Sequence, residues 1–125
     1  MQFEVILRDQ FAGNFISKVT GVPGATVSLA MAQAPGHVIE LLEYSGPDDR
    51  KIYRPRNCDV GSVHIAFFVE DIEAILARVE AAGWTAYDQP QHIDRGPPEG
   101  TLVMYVRGPD GVSLEFMQLL GELPL

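Results

Sequence analysis

The sequence predicts an α+β fold made of paired strand–helix–strand–strand–strand (βαβββ) modules, of which the first is truncated. Gly61–Gly83 has the pattern of an apolar strand, an acidic turn and an amphipathic helix that ends in glycine. Short apolar runs on both sides of it are separated by turn residues, as in antiparallel strands. The segment Pro23–Tyr44 also aligns with Pro98–Leu119 without a gap.

Composition limits the classes of function that the chain can have. A length of 125 residues suits a single domain that buries a real core. The formal net charge of −8 argues against nucleic acid as a partner, and no apolar run approaches the roughly 18 residues of a membrane helix. The single cysteine, Cys58, excludes an internal disulfide and fits a reducing compartment, so we expect a cytoplasmic protein.

In the first half, apolar and β-branched residues predict strands at Phe3–Arg8, Ala25–Ala32 and His37–Tyr44. The last two strands form a hairpin around a Pro-Gly turn. Glycines and a proline interrupt a helical spacing of apolar residues between Asp9 and Gly24, which predicts a loop with at most one helical turn.

The middle of the chain carries the clearest strand–helix pattern. In the strand Val63–Val69 the apolar residues alternate, which places His64 on the opposite face from Phe67. Asp71 is a candidate N-cap for a helix with one apolar stripe from Ile72 to Val79. Gly83 suits the left-handed position after that helix.

The remaining chain predicts three strands, with a proline-rich loop between the first and the second. The strands are Trp84–Tyr87, Thr101–Arg107 and Val112–Leu119, and Asp88–Gly100 is the loop. Gly108-Pro109-Asp110-Gly111 is a strong turn signal between the last two strands.

The gapless alignment at an offset of 75 indicates an internal repeat. Its identities run in the order expected of one module, from loop proline and strand threonine to turn glycine and strand glutamate: Pro23/Pro98, Thr26/Thr101, Gly36/Gly111 and Glu40/Glu115. The position that matches His64 falls before Met1. We therefore expect a truncated module over 1–46, a linker over 47–61 and a complete module over 62–120.

Two motifs in these modules resemble those of the vicinal oxygen chelate superfamily, which includes glyoxalase I, methylmalonyl-CoA epimerase, extradiol dioxygenases and bleomycin-resistance proteins. VHIAFFVEDIEAILARVEAAG is similar to its opening strand and helix, and RGPDGVSLEFMQ is similar to its closing glutamate strand. The resemblance implies cupped sheets around a pocket. It also implies that His64, Glu115 and Glu40 bind a divalent metal (Ni, Co, Mn, Fe or Zn), with the fourth ligand position missing.

The implied chemistry is that of an isomerase or lyase acting on a small oxygenated metabolite. A metal would act as a Lewis acid on an enediolate, with Glu40 or Glu115 as the base. A lone strand histidine is more often hydrogen-bonded in a core than a ligand, and Glu40 could be solvent-exposed on an edge strand. A metal-free binding protein or a catalytically lapsed family member is therefore the alternative. The unpaired edge left by the missing strand predicts a homodimer.

Basic residues cluster in the predicted linker. The cluster predicts a solvated loop, and anchoring of an anionic substrate tail is the alternative; its members are Arg50, Lys51, Arg54 and Arg56.

Overall fold

The computed structural model describes residues 2–96 and 100–121, which divide into the compact units Met1–Lys51 and Ile52–Leu125. Both units combine antiparallel strands with one helix, so the predicted α+β class is confirmed. The boundary between the units falls inside the segment 47–61. In the described part of the chain, neither helix has the length and apolar character needed to cross a membrane.

The first unit is a three-stranded antiparallel sheet with one short helix. The strands lie in the order β1-β2-β3, and α1 joins β1 to β2. The bounds are β1 Glu4–Ala12, α1 Asn14–Thr20, β2 Thr26–Ala34 and β3 His37–Gly46.

The prediction of a loop over Asp9–Gly24 is wrong. The strand β1 extends to Ala12, and a helix of seven residues follows it. Gly13 (φ 87°) and Gly21 (φ 70°) mark the two ends of this helix rather than breaking it. The helix forms because Ile16 is buried in a small apolar cluster with Val27 and its neighbours.

The second unit is a complete βαβββ module with one extra two-residue strand. The sheet order is β4-β8-β7-β5, with β6 also paired to β7; β4 runs parallel to β8 and the other pairs are antiparallel. The loop predicted over Asp88–Gly100 therefore contains β6. The bounds are β4 His64–Phe68, α2 Ile72–Ala81, β5 Thr85–Ala86, β6 Gln91–His92, β7 Leu102–Arg107 and β8 Ser113–Gln118.

Helix α2 covers one face of this sheet, and its capping is as the sequence predicts. Asp71 accepts a hydrogen bond from the backbone N–H of Ala74 at 3.0 Å. The side chain of Gln118 on β8 accepts a second one from the N–H of Ile72 at 2.8 Å. Gly83 follows the helix with φ 86°. The core between helix and sheet consists of Ile72, Ile75, Leu76, Met104, Val106 and Phe116.

The two units repeat a strand order, but the gapless alignment does not hold in detail. Each unit contains three strands in which the middle one pairs antiparallel with the other two. These are β1, β2 and β3 in the first unit and β5, β7 and β8 in the second. In the first unit, Glu40 pairs with Met31. At an offset of 75, Glu115 would therefore pair with Val106, but it pairs with Tyr105. The turn before β8 is longer than the Pro-Gly turn before β3, and this shifts the register by one residue. Pro98 lies outside the described residues.

Candidate functional site

Three polar side chains meet on the face of the second sheet that α2 does not cover. Phe116 and Met104 face each other across β8 and β7 and belong to the core beneath the helix. Since side chains alternate along a strand, Glu115 and its cross-strand partner Tyr105 project from the opposite face. His64 begins the neighbouring parallel strand and reaches the same face.

His64 and Glu115 form a hydrogen-bonded pair. The Nε2 atom of His64 lies 2.9 Å from Oε2 of Glu115. The carboxylate side chain is 14% exposed and the imidazole 38% exposed, so the pair is sheltered on the carboxylate side and open on the imidazole side. The structure thus brings together two of the three predicted site residues.

Tyr105 completes a triad with this pair. Its hydroxyl oxygen lies 3.3 Å from Nε2 of His64, and the two rings meet edge to face with centroids 4.9 Å apart. Burial raises the pKa of the Tyr105 phenol, and the negative charge of Glu115 and a hydrogen bond to that carboxylate raise it further. The phenol therefore stays protonated at neutral pH and remains a hydrogen-bond donor.

Protonation decides how the three groups share their hydrogen bonds. With its proton on Nε2, the imidazole donates to the carboxylate, and the phenol can donate to the same carboxylate. Two donors hold the Glu115 carboxylate in one orientation on the sheet face. A fixed carboxylate beside an imidazole and a phenol is a set of groups suited to proton transfer.

The His64–Glu115 geometry also suits two adjacent ligands of one metal ion. Bonds of about 2.1 Å at right angles place neighbouring ligand atoms about 3 Å apart, close to the observed 2.9 Å. Within residues 2–96 and 100–121, however, no group of three or more His, Cys, Asp or Glu side chains could hold a metal ion. The third predicted ligand, Glu40, is exposed on β3 of the first unit. The three-residue metal site therefore stays a prediction.

A cavity of about 290 Å³ lies beside the triad, with Tyr105 in its wall. Val103 and Met104, also on β7, line it as well, and Val103 lies on the same face as Tyr105. The other lining groups are polar and come from two loops and β6: Asn57, Tyr87, Asp88, Gln89 and Gln91. Tyr105 is thus shared by the cavity and the triad.

Hydrogen bonds hold the loops of this cavity against the sheet. Ser113 donates to Oδ1 of Asn57 at 2.9 Å. Arg107 donates to the Tyr87 hydroxyl at 2.5 Å, and its guanidinium carbon lies 5.7 Å from the centre of the Tyr87 ring. Arg107 also donates to the carbonyl oxygen of Pro55. Pro55 and Asn57, which the sequence assigns to the linker, are therefore hydrogen-bonded to the strands β7 and β8 of the second unit.

Most residues of the triad and the cavity belong to no motif of the sequence. For Tyr105, on a predicted strand, core packing is the default and lining a cavity is the alternative; the structure places Tyr105 in the cavity wall. Asn57, Gln89 and Gln91 carried no motif. Cys58 and His37 are exposed, and His92 is exposed on β6.

Comparisons with known proteins agree with this architecture. A family model described as glyoxalase/bleomycin resistance protein/dioxygenase superfamily matches residues 6–116. A 2-epi-5-epi-valiolone epimerase from Actinomyces sp is 34% identical over 116 residues, which are 90% of this chain and 63% of that protein. The chain thus spans less than two thirds of this relative.

Solved structures show the same fold at low sequence identity. A glyoxalase family protein from Bacillus cereus has a TM-score of 0.77 and 22% identity, over 95% of this chain and 79% of its own. A glyoxylase/bleomycin resistance protein/dioxygenase domain from Frankia sp. has a TM-score of 0.59 and 21% identity, over 94% and 78%. The family model covers most of the chain, and the resemblance noted in the sequence is confirmed. The chain belongs to the glyoxalase/bleomycin resistance protein/dioxygenase superfamily.

Proposed function

We propose that this protein is an isomerase of the epimerase type that acts on a small oxygenated metabolite through an enediolate intermediate. The observation that carries the proposal is the hydrogen-bonded pair of His64 and Glu115, which adjoins a cavity through Tyr105. The 34% identical relative is a 2-epi-5-epi-valiolone epimerase. Family membership supports the same reading.

The proposed reaction inverts a carbon that carries a hydroxyl group and lies next to a carbonyl group. The Glu115 carboxylate takes the proton from that carbon, and the electron pair of the broken C–H bond moves into the carbonyl group to form an enediolate. A proton then returns to the opposite face of the same carbon from water or from a second acid, the carbonyl reforms, and Glu115 releases the abstracted proton to solvent. No oxidant or reductant is consumed, since substrate and product are isomers.

His64 and Tyr105 support this proton transfer in different ways. The Nε2–H of His64 holds the Glu115 carboxylate in place while it accepts the proton. The Tyr105 phenol, protonated at neutral pH, has one O–H, which can turn from Glu115 to the oxygen that becomes negative once the Glu115 carboxylate has taken up the proton. Removing a donor of this kind lowers turnover about 10²–10³-fold in well-studied enzymes.

A divalent cation is the alternative to the His64–Glu115 hydrogen bond: it would be bound by the deprotonated Nε2 of His64 and by Glu115 in place of the shared proton, with Glu40 as the further predicted ligand. When bound, the cation would supply Lewis-acid stabilisation of the negative oxygen. Glu40 keeps its second predicted role as a base. The variant Glu40→Gln tests both roles, because losing this carboxylate lowers either metal content or turnover.

The proposal is tested by following the configuration of 2-epi-5-epi-valiolone by proton NMR. Protein is assayed as purified and after addition of Ni²⁺, Co²⁺, Mn²⁺, Fe²⁺ or Zn²⁺. We expect epimer formation by the natural sequence and by Glu80→Gln, which alters an exposed glutamate on α2. If these proteins bind that compound or related small hydroxy ketones without epimerising any of them, the epimerase proposal fails. The metal-free binding protein is then the better reading.

The proposal includes a homodimer, which the exposed apolar side chains of the first unit support. Leu41 is 58% exposed and Val38 51% exposed on β3. In the described residues, no strand pairs with the outer edge of β3. Light scattering of the purified protein should give twice the chain mass of 13.7 kDa, and a monomer mass at micromolar concentration would contradict the dimer.

A further inference from the structure

We infer that the cavity beside Tyr105 is the substrate subsite and that it selects an uncharged, hydroxylated molecule over a phosphorylated or carboxylated one. The inference rests on the proposed function for the position of the reacting carbon, but the choice of substrate class comes from the cavity itself. Among the residues that the structure describes, those that line the cavity belong to the second unit.

The side-chain amides of the cavity suit hydroxyl groups, because each amide combines donors with an acceptor and a hydroxyl needs both. Asn57 accepts from Ser113 through Oδ1, which leaves its Nδ2 hydrogens for a ligand. Gln91 donates through Nε2 to the backbone carbonyl of Gln89, which leaves its Oε1 as an acceptor. The side chain of Gln89 itself adds a third amide.

The charges around the cavity disfavour an anion. Asp88 is the one charged residue among the described lining groups, and it is acidic. Glu115 adds a second carboxylate beyond Tyr105. A phosphate or carboxylate placed here would face two negative groups, and like charges at close range repel.

The arginines that lie close in sequence to the lining residues Asn57 and Tyr105 already form hydrogen bonds or ion pairs with other groups of the protein. Arg107 donates to Tyr87 and to the carbonyl oxygens of Pro55 and Gly111. Arg56 pairs with Asp59 at 2.7 Å, and Arg54 donates to the carbonyl oxygen of Pro109. An anionic ligand would have to displace one of these contacts. Arg54 and Arg56, two of the four members of the basic cluster, are therefore poorly suited to anchor an anionic tail.

The size of the cavity limits the ligand to a small molecule. Binding pockets for drug-sized ligands enclose about 300–1,000 Å³, and this cavity of about 290 Å³ lies just below that range. Val103, on the same face as Tyr105, offers an apolar surface for the carbon skeleton, and the amides of Asn57, Gln89 and Gln91 also line the cavity. A ring or short chain that carries several hydroxyl groups matches both surfaces.

The test measures binding directly, with myo-inositol as the uncharged probe and myo-inositol 1-phosphate as the charged one. Both are titrated at millimolar concentration into ¹⁵N-labelled full-length protein, and the backbone amide signals are followed. We expect myo-inositol to shift the signals of Gln89, Gln91 and Tyr105, with an affinity at least tenfold higher than that of the phosphate. Asp88→Asn should reduce the difference in affinity between myo-inositol and its phosphate, whereas Glu80→Gln should leave that difference unchanged.

Two further results separate this inference from the proposed function. Gln89→Leu and Gln91→Leu, both at exposed positions, should weaken myo-inositol binding at least fivefold without altering the spectrum elsewhere. Equal binding of the two probes, or shifts confined to other parts of the protein, would overturn the inference even if epimerisation is observed. Selective binding of myo-inositol without any epimerisation would support the subsite and count against the epimerase alone.

Discussion

The carboxylate of Glu115 lies 2.9 Å from Nε2 of His64, although 51 positions separate the two residues in the chain. The contact exists because β4 and β8 are adjacent and parallel, with His64 in register with Ser113. Glu115 is two residues farther along the same face. A shift of one residue in this pairing would turn Glu115 toward the core, so the site depends on strand register.

The turn before β8 sets the register between β7 and β8, which places Tyr105 opposite Glu115, and Gly111 is its most constrained residue. Gly111 has φ 88°, and a Cβ atom there would lie 2.7 Å from the carbonyl oxygen of Tyr53. Gly83 has a similar φ of 86°, but a Cβ atom there would meet nothing within 4 Å. Gly83→Ala should cost about 1–2 kcal/mol of unfolding free energy for the left-handed backbone, and Gly111→Ala about 1–3 kcal/mol more for the clash.

Denaturant unfolding followed by the fluorescence of Trp84, the single tryptophan and a residue of the second unit, measures both losses. Equal losses for the two alanine variants would show that the contact with Tyr53 does not constrain the turn.

Asp71 should stabilise the second unit through its cap on α2. Asp71→Ala removes the acceptor for the N–H of Ala74 and should lower the unfolding free energy by about 1 kcal/mol. Asp71→Asn is the matched control, because asparagine caps as well as aspartate. The same unfolding measurement checks both variants, and an asparagine variant as unstable as the alanine variant would rule out the capping explanation.

Asp59 should make the second unit sensitive to acid. Hydrogen bonds from the side chain and then from the backbone N–H of Arg56 hold the pKa of the Asp59 carboxyl below its ordinary value of 3.8. A lowered pKa stabilises the folded state above pH 3.8, and this contribution is lost as the pH falls through the folded-state pKa.

Asp59→Asn should therefore be less stable than the natural sequence at pH 7, and the difference in unfolding free energy should shrink as the pH falls below 3.8, as measured by urea unfolding at pH 7 and at one pH below 3.8. The effect is small, because the pair is exposed and solvent screens it. A difference in unfolding free energy of the same size at both pH values would show that the ionised Asp59 carboxylate does not cause the loss of stability.

The βαβββ module could be predicted because its signals are local. Alternation in β4, the cap at Asp71 and the apolar stripe of α2 each need only a few neighbouring residues. The helix α1 could not, since its seven residues carry two bounding glycines and depend on the burial of Ile16 for stability. Short helices have little stability of their own, so packing decides whether they form.

Of the triad, His64 and Glu115 could be predicted as site residues, whereas Tyr105 and the cavity could not. The strand pattern identified His64 and Glu115, and the resemblance to the family supplied their pairing. Tyr105 depends on the exact register of a hairpin, and a turn that is longer than the one in the first unit changes that register. The cavity residues Asn57 and Gln89 lie in loops, where no periodic pattern indicates which side chains converge.

The most direct test of the proposed chemistry is the exchange of the substrate proton with solvent. In D₂O, the natural sequence and Glu80→Gln should incorporate deuterium at the inverted carbon of 2-epi-5-epi-valiolone, as followed by loss of its proton NMR signal. Glu115→Gln keeps the shape of the side chain but removes the base, and should slow the exchange about 10²–10⁴-fold. Exchange by Glu115→Gln at the rate of the natural sequence would contradict the assignment of Glu115 as the group that moves the proton.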